Sequence, residues 1–129
     1  MSRTVTRSIE TEAAVDDVLV ILRDAHKIPA WAPVFADSVE AEAEGRWWIT
    51  KDGSSFGMEM VVEPSSGTVD YLREMGPSKK AGAYIRVFPR PGDGSVVVMT
   101  VPIGPGAEPK EVADVLEQEL SALVALCHR

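Results

Sequence analysis

The chain has 129 residues and a formal net charge of −7, with a sequence pI near 4.8. This length fits one domain, residues 1–129, which is large enough to bury a core and a pocket. The acidic balance argues against nucleic acid and anionic membranes as partners, because both require clustered lysine and arginine. A neutral or weakly charged small molecule is the expected partner.

Cysteine content and apolar runs bear on the compartment. The single cysteine, Cys127, cannot form an internal disulfide. Residues 1–4 lack the apolar run of a signal peptide. The longest apolar runs, 18–22 and 96–99, fall far below the ~20 residues that cross a bilayer. The sequence therefore predicts a cytoplasmic protein without a membrane span. A monomer or weak homodimer is the expected assembly, although no residue pattern defines it.

The amino-terminal segment predicts one strand followed by two short helical pieces. Residues 4–10 are β-branched or small and alternate loosely, which is typical of a strand. The apolar residues of 15–22 recur at i, i+3, i+4 and i+7, which is a helical stripe. Pro29 and Pro33 indicate a separate second helix or turn, because proline lacks an amide donor.

Six further strands are predicted after these helices. In residues 39–44, small apolar residues alternate with glutamates, which indicates one buried and one exposed face. A three-residue loop, 44–46, then leads to a strand at 47–51. Pairing around the turn 52–55 is expected to set Ile49 opposite Met58 and Trp47 opposite Met60.

The next turn, 64–67, predicts a second set of cross-strand pairs. These are Val62 with Val69, Met60 with Tyr71, and Met58 with Arg73. All of these side chains fall on one face, because alternate residues of a strand point the same way. A last hairpin is predicted from 83–90 and 95–102, with faces that are harder to distinguish.

A long amphipathic helix, 108–129, is predicted to close the chain. Its stripe comprises Val112, Leu116, Glu119, Leu120, Leu123 and Cys127. Glu119 is unusual because it is a charged residue within an apolar stripe. The order of elements predicts a curved sheet that grips this helix over an internal cavity.

Two segments carry a family resemblance. The segment 8–33, a strand, an acidic-start helix and the Pro-x-Trp-x-Pro motif, resembles the entry of the START/polyketide-cyclase/Bet v 1-like (SRPBCC) superfamily. The run 88–97 resembles the penultimate hairpin of that superfamily. The resemblance implies an α+β helix-grip fold, with a seven-stranded antiparallel sheet around a long C-terminal helix and two short helices between strands 1 and 2. Ala13 and Ala14 replace the usual Ser-Pro-Glu-like helix start, and the chain is short, which predicts a small cavity.

Motifs for other chemistries have simpler interpretations. Residues 53–57 match the Gly-x-Ser-x-Gly nucleophile elbow, but they lie between two strands, whereas the elbow joins a strand to a helix. Gly104 and Gly106 resemble a phosphate loop but lack its third glycine, so they are interpreted as a helix entry. Cys and His do not occur at metal-ligand spacing, so neither a metal site nor a cofactor is predicted. His26 is interpreted as a surface residue and Cys127 as a core thiol.

The candidate ligand-binding residues combine the inward face of the strands with the closing helix. They are Trp47, Met58, Met60, Tyr71, Arg73, Tyr84, Arg86, Leu116, Glu119 and Leu120. The alternative for most of them is a plain core. A charge on an apolar face is costly unless it is paired, so Glu119 is expected to contact Arg73 or Arg86 across the cavity, near Tyr71 or Tyr84.

Three functions remain open from the sequence. The first is binding of a hydrophobic or aromatic small molecule between the sheet and the last helix. The second is a polyketide cyclase or aromatase that uses the same cavity, with catalytic residues undefined. The third is a protein-interaction module without a ligand.

Overall fold

The computed structural model describes residues 3–76 and 79–128. Its elements are β1 Thr4–Thr11, α1 Val15–Leu22, α2 Ile28–Trp31, β2 Ser38–Ala43, β3 Arg46–Lys51, β4 Ser54–Glu63, β5 Thr68–Gly76, β6 Lys79–Pro89, β7 Ser95–Pro102 and α3 Pro109–Cys127. Single 3₁₀ turns occupy Ala25–Lys27 and Pro64–Ser66. Arg129, the predicted last residue of the closing helix, lies outside the described residues.

The seven strands form one antiparallel sheet in the order β1-β7-β6-β5-β4-β3-β2. Neighbouring strands in this order are also consecutive in the chain, except for β1, which pairs with β7. The long helix α3 contacts β1, α1 and α2. The predicted α+β helix-grip fold, with two short helices between strands 1 and 2, is confirmed.

The apolar stripe of α3 holds the helix on the sheet. Leu116, Leu120 and Leu123 are almost fully buried in one core with Ile85 and Val97 of the sheet. Burying a leucine side chain contributes about 2 kcal/mol relative to leaving it exposed. Hydrophobic burial along this stripe is therefore the main force that fixes α3 over the sheet.

The pairing of β3 with β4 differs from the sequence prediction. Ile49 lies opposite Phe56 and Trp47 opposite Met58, a shift of two residues. The cause is a tight two-residue turn, Asp52 and Gly53, with φ angles of 51° and 81°, as type I′ hairpins require. A shift of two leaves every side chain on its predicted face. The pairs predicted between β4 and β5 are confirmed.

The strand β2 is less buried than its sequence predicts. Ala41 and Ala43 are exposed, and Val39 is only half-buried. The reason is position, because β2 forms one edge of the sheet. The predicted three-residue loop 44–46 is also corrected: Arg46 already belongs to β3, and the turn consists of Glu44 and Gly45.

Gly67 fixes the turn between β4 and β5 against β6. It has a φ of +66°, which favours glycine. Its carbonyl oxygen accepts a hydrogen bond of 2.8 Å from the backbone N–H of Val87. A Cβ at this position would overlap the carbonyl oxygen of Val87. The turn and β6 therefore approach each other at a distance that only glycine allows.

Candidate functional site

A cavity of about 470 Å³ lies between the sheet and the helices α2 and α3. Its wall is mostly apolar and comprises Ile28, Trp31, Ala32, Val34, Phe35, Lys51, Tyr71, Arg73, Ala81, Gly82, Ala83, Met99, Val101, Pro102, Val112, Val115, Leu116 and Glu119. Small-molecule sites typically enclose about 300–1,000 Å³ and carry a few polar groups. The size and composition of this cavity fit that class of site.

The structure brings part of the predicted site together. Tyr71, Arg73, Leu116 and Glu119 line the cavity. The remaining inward-facing candidates pack in or against the core without lining it, and these are Trp47, Met58, Met60 and Leu120. For these four residues, the core interpretation describes their position better than the cavity interpretation does.

Tyr84 and Arg86 lie on the other face of the sheet, so their predicted place in the cavity is wrong. Along β6, Ala83 and Ile85 face the interior, and the alternation of a strand turns Tyr84 and Arg86 outward. Arg86 instead pairs with Asp70 of the adjacent strand, with 2.7 Å between Nη1 and Oδ1.

Sequence reasoning missed the residues that create the empty space. Ala81 and Ala83 line the cavity from β6, where larger side chains would fill it. Trp31 and Phe35 form another part of the wall, although the sequence indicated only that they pin a turn to the core. The available signal was the run of small residues at 81–83 in β6, an interior strand of the sheet.

Glu119 is a buried carboxyl group in the cavity wall. Its residue exposure is 9%, and burial raises its pKa to about 7 from an ordinary value of 4.5. Within 3–76 and 79–128, no ion pair or hydrogen bond joins its side chain to Arg73 or Arg86, so that predicted contact is wrong. Near neutral pH, both the protonated and the ionised form of this carboxyl group are therefore populated.

Arg73 lines the same cavity but is exposed to solvent. Its guanidinium carbon lies 4.0 Å from the centroid of the Phe56 ring, a cation–π contact. Phe56 in turn packs edge-on against Phe35, with 5.5 Å between ring centroids. An aromatic pair thus supports the guanidinium group at the exposed part of the cavity wall.

Lys51 is a second cation of the wall, and its charge is compensated. Its Nζ donates to the carbonyl oxygen of Pro33 at 2.8 Å and to Oδ1 of Asp37 at 3.2 Å. Asp37 also accepts a hydrogen bond from the backbone N–H of Asp52. That bond, together with Lys51, lowers the pKa of Asp37. Lys51 therefore acts as a tether between the loop after α2 and the β3–β4 hairpin.

The hydroxyl group of Tyr71 forms a buried hydrogen bond within the protein. The hydroxyl donates to the carbonyl oxygen of Leu22, at the end of α1. Burial, with smaller contributions from the charges of Asp24 and Glu119, raises the pKa of Tyr71 above its ordinary value. This hydroxyl is therefore a structural donor and not a proton source near neutral pH.

Replacing Tyr71 with phenylalanine should lower the free energy of unfolding by about 1–2 kcal/mol, because the carbonyl of Leu22 loses its buried donor. Urea unfolding followed by circular dichroism measures the change. Tyr84→Phe is the matched control, since Tyr84 is exposed on the outer face, and it should change stability little. Equal losses in both variants would contradict a structural role for the Tyr71 hydroxyl.

The remaining reactive residues show ordinary environments. Cys127 is half-buried, and burial and the charge of Asp17 raise the pKa of its thiol, which agrees with a core thiol. His26 is exposed beside Asp24.

In the described ranges, acidic, His and Cys side chains form no group of three that could hold a metal ion. None of the helices in those ranges combines the length and apolar character needed to span a bilayer.

A long helix gripped by a seven-stranded antiparallel sheet over an apolar cavity defines a helix-grip domain. Residues 2–127 match the family model described as polyketide cyclase / dehydrase and lipid transport, and the chain belongs to this family. No curated protein sequence is significantly similar to the chain.

Solved structures share the whole fold at low sequence identity. A protein from Mesorhizobium loti has a TM-score of 0.76 and 20% identity, covering 98% of both chains. The ZhuI aromatase/cyclase from Streptomyces sp. R1128 has a TM-score of 0.67 and 18% identity, covering 98% of this chain and 94% of its own. A START superfamily protein from Mycobacterium smegmatis has a TM-score of 0.67 and 16% identity, covering 98% of both. Identities this low establish the fold alone.

Proposed function

We propose that this protein binds a hydrophobic or aromatic small molecule in the cavity between the sheet and α3. The observation that carries the proposal is the cavity itself, about 470 Å³ with a mostly apolar wall. This wall exposes apolar surface to water inside a pocket that is open to solvent. A ligand that fills the pocket would remove this surface from water, which is favourable.

The shape of the wall supports an aromatic or otherwise flat ligand. Trp31 and Tyr71 contribute neighbouring rings, 6.1 Å apart between centroids and tilted by 38°. Ala81 and Ala83 leave space on the sheet side. Aromatic rings provide a large contact area and favour offset or edge-on partners. We propose a small molecule as the partner and not nucleic acid, because the chain has a formal net charge of −7. The protein is proposed to be a cytoplasmic monomer or weak homodimer.

Replacing Ala83 with phenylalanine should abolish or strongly weaken binding, because the new ring would occupy the cavity. The neutral fluorescent probe N-phenyl-1-naphthylamine reports binding through its emission. We expect saturable binding to the unmodified protein and an affinity at least tenfold lower for Ala83→Phe. The matched control is Ala41→Phe, on the exposed edge strand β2, which should bind as the unmodified protein does.

Two binding results would contradict the cavity as the site of a small molecule. Equal binding by Ala83→Phe, with melting curves that show a folded variant, would place the probe outside this cavity. Failure of the unmodified protein to bind the probe and a panel of lipids, sterols and aromatic polyketides would favour a protein-interaction module. Melting temperatures of both variants verify that changes in binding do not reflect unfolding.

A second candidate function is catalysis in the same cavity. The observation that favours it is Glu119, a cavity carboxyl group with a pKa near 7. A group that titrates near the working pH is an efficient general acid or base. A cyclase or aromatase would lose turnover in Glu119→Gln while retaining ligand binding, whereas a carrier would have no turnover to lose.

A further inference from the structure

Arg73 places a positive charge at the cavity, and none of the carboxylates that the structure describes forms an ion pair with it. The chain has 20 acidic and 13 basic residues, so carboxylates are abundant. Several other arginines pair with them, for example Arg86 with Asp70, and Arg90 with Glu10 at 3.2 Å. Among the described residues, however, no carboxylate forms an ion pair with Arg73, whose charge meets only the face of Phe56. This arrangement leaves its charge available to a ligand.

The contact with Phe56 holds the guanidinium carbon of Arg73 over the aromatic ring. A guanidinium stacked on a ring still has the N–H groups of its edge available, because they lie in its own plane. Two parallel N–H donors match the two oxygens of a carboxylate, and such bidentate pairs are stronger than neutral hydrogen bonds. Lys51, the other cation of the wall, donates to Pro33 and Asp37 and does not offer the same geometry.

Glu119 and Arg73 place an acidic and a basic group at different parts of the cavity wall. It is buried in the wall on α3, whereas Arg73 is exposed on β5, and no ion pair joins them. An anionic group is attracted to Arg73 and repelled by an ionised Glu119. An amphipathic acid would therefore bind with its charged end at Arg73 and its hydrocarbon part in the interior.

We propose that Arg73 binds the carboxylate of an apolar carboxylic acid whose hydrocarbon or aromatic body fills the cavity. This inference rests on the proposed function, because it assumes that the cavity holds a small molecule. It adds a ligand class and an orientation that the cavity shape alone does not define.

A matched pair of probes tests the inference. 2-Naphthoic acid and 2-naphthamide have the same ring system and differ in charge at pH 7.5. In calorimetric titrations, we expect the unmodified protein to bind the acid at least tenfold more tightly than the amide. Arg73→Gln should remove this preference while leaving the affinity for the amide unchanged. Arg73→Lys should restore part of it, because lysine keeps the charge without the bidentate geometry.

Arg86→Gln is the control, since Arg86 lies on the outer face, and it should retain the preference for the acid. Equal binding of acid and amide by the unmodified protein would overturn the inference but leave the proposed function intact. The same holds if Arg73→Gln weakens both probes equally. If neither probe nor N-phenyl-1-naphthylamine binds, the proposed function fails, and the inference fails with it. Because Arg73 is exposed, its variants should fold, which melting curves verify.

Discussion

Replacing Glu119 with glutamine should stabilise the protein by about 3 kcal/mol at pH 8 and have little effect at pH 4. The reason is the buried position of the carboxyl group, which raises its pKa from 4.5 to about 7 in the folded state. Ionisation within the apolar wall is costly, whereas the unfolded chain ionises in water. Glutamine has nearly the same shape and does not ionise.

The sign of the pH dependence follows from proton binding. Between pH 4.5 and 7, the folded state retains the proton of Glu119 and the unfolded state has released it. Raising the pH therefore favours unfolding across this window. The stability linked to the neutral carboxyl is fully present below pH 4.5, decreases as the pH rises toward 7, and is lost above it.

Urea unfolding at pH 4, 5, 6, 7 and 8 measures this effect as the difference between Glu119→Gln and the unmodified protein. Taking the difference cancels the titration of other groups. The control is Glu117→Gln on the exposed side of α3, where the ion pair with Arg7 is mostly solvent-exposed. We expect this control to change stability by less than about 1 kcal/mol at any pH. Parallel stability curves for Glu119→Gln and the unmodified protein would contradict a strongly perturbed carboxyl group.

Replacing Gly67 with alanine should lower the free energy of unfolding by about 3 kcal/mol. Two costs combine at this position. The positive φ disfavours any residue with a side chain, and the new Cβ would overlap the carbonyl oxygen of Val87. Relief of the overlap requires β6 to move away from the turn, which weakens the hydrogen bond from Val87 to Gly67.

Gly92→Ala separates these two costs. Gly92 also has a positive φ, +85°, but a Cβ there would meet nothing within 4 Å. We therefore expect a loss of about 1 kcal/mol from backbone strain alone. Urea unfolding of both variants at one pH gives the comparison. Equal losses would indicate that the close approach of β6 contributes nothing to stability.

The sequence predicts those parts of the fold in which periodicity is strong. The stripe of α3 is predictable because its apolar residues recur at a helical period and are buried. The pairs between β4 and β5 are predictable because the turn between these strands is well marked. The sequence predicts a turn over residues 52–55 between β3 and β4, because all four are typical turn residues. The turn in the structure needs only Asp52 and Gly53, both with positive φ, and this difference shifts the register by two residues.

The candidate site was predictable only in part, because a cavity depends on what is absent from the interior. Arg73 and Glu119 stand out in the sequence as charged residues on apolar faces, Tyr71 is expected near them, and all three line the cavity. Their expected ion pair failed because sharing a cavity does not bring two side chains into contact. Tyr84 was misplaced because both faces of β6 contain apolar residues, so the alternation there is ambiguous.

The exposed edge strand β2 has a consequence for solubility. An edge strand is a template for pairing with a strand of another molecule. Glu40, Glu42 and Glu44 concentrate negative charge along this edge, and like charges on facing strands repel each other. At neutral pH, this repulsion opposes edge-to-edge pairing between the β2 strands of two molecules. Salt screens such surface charges, so at high ionic strength β2 is the edge where aggregation is expected to start.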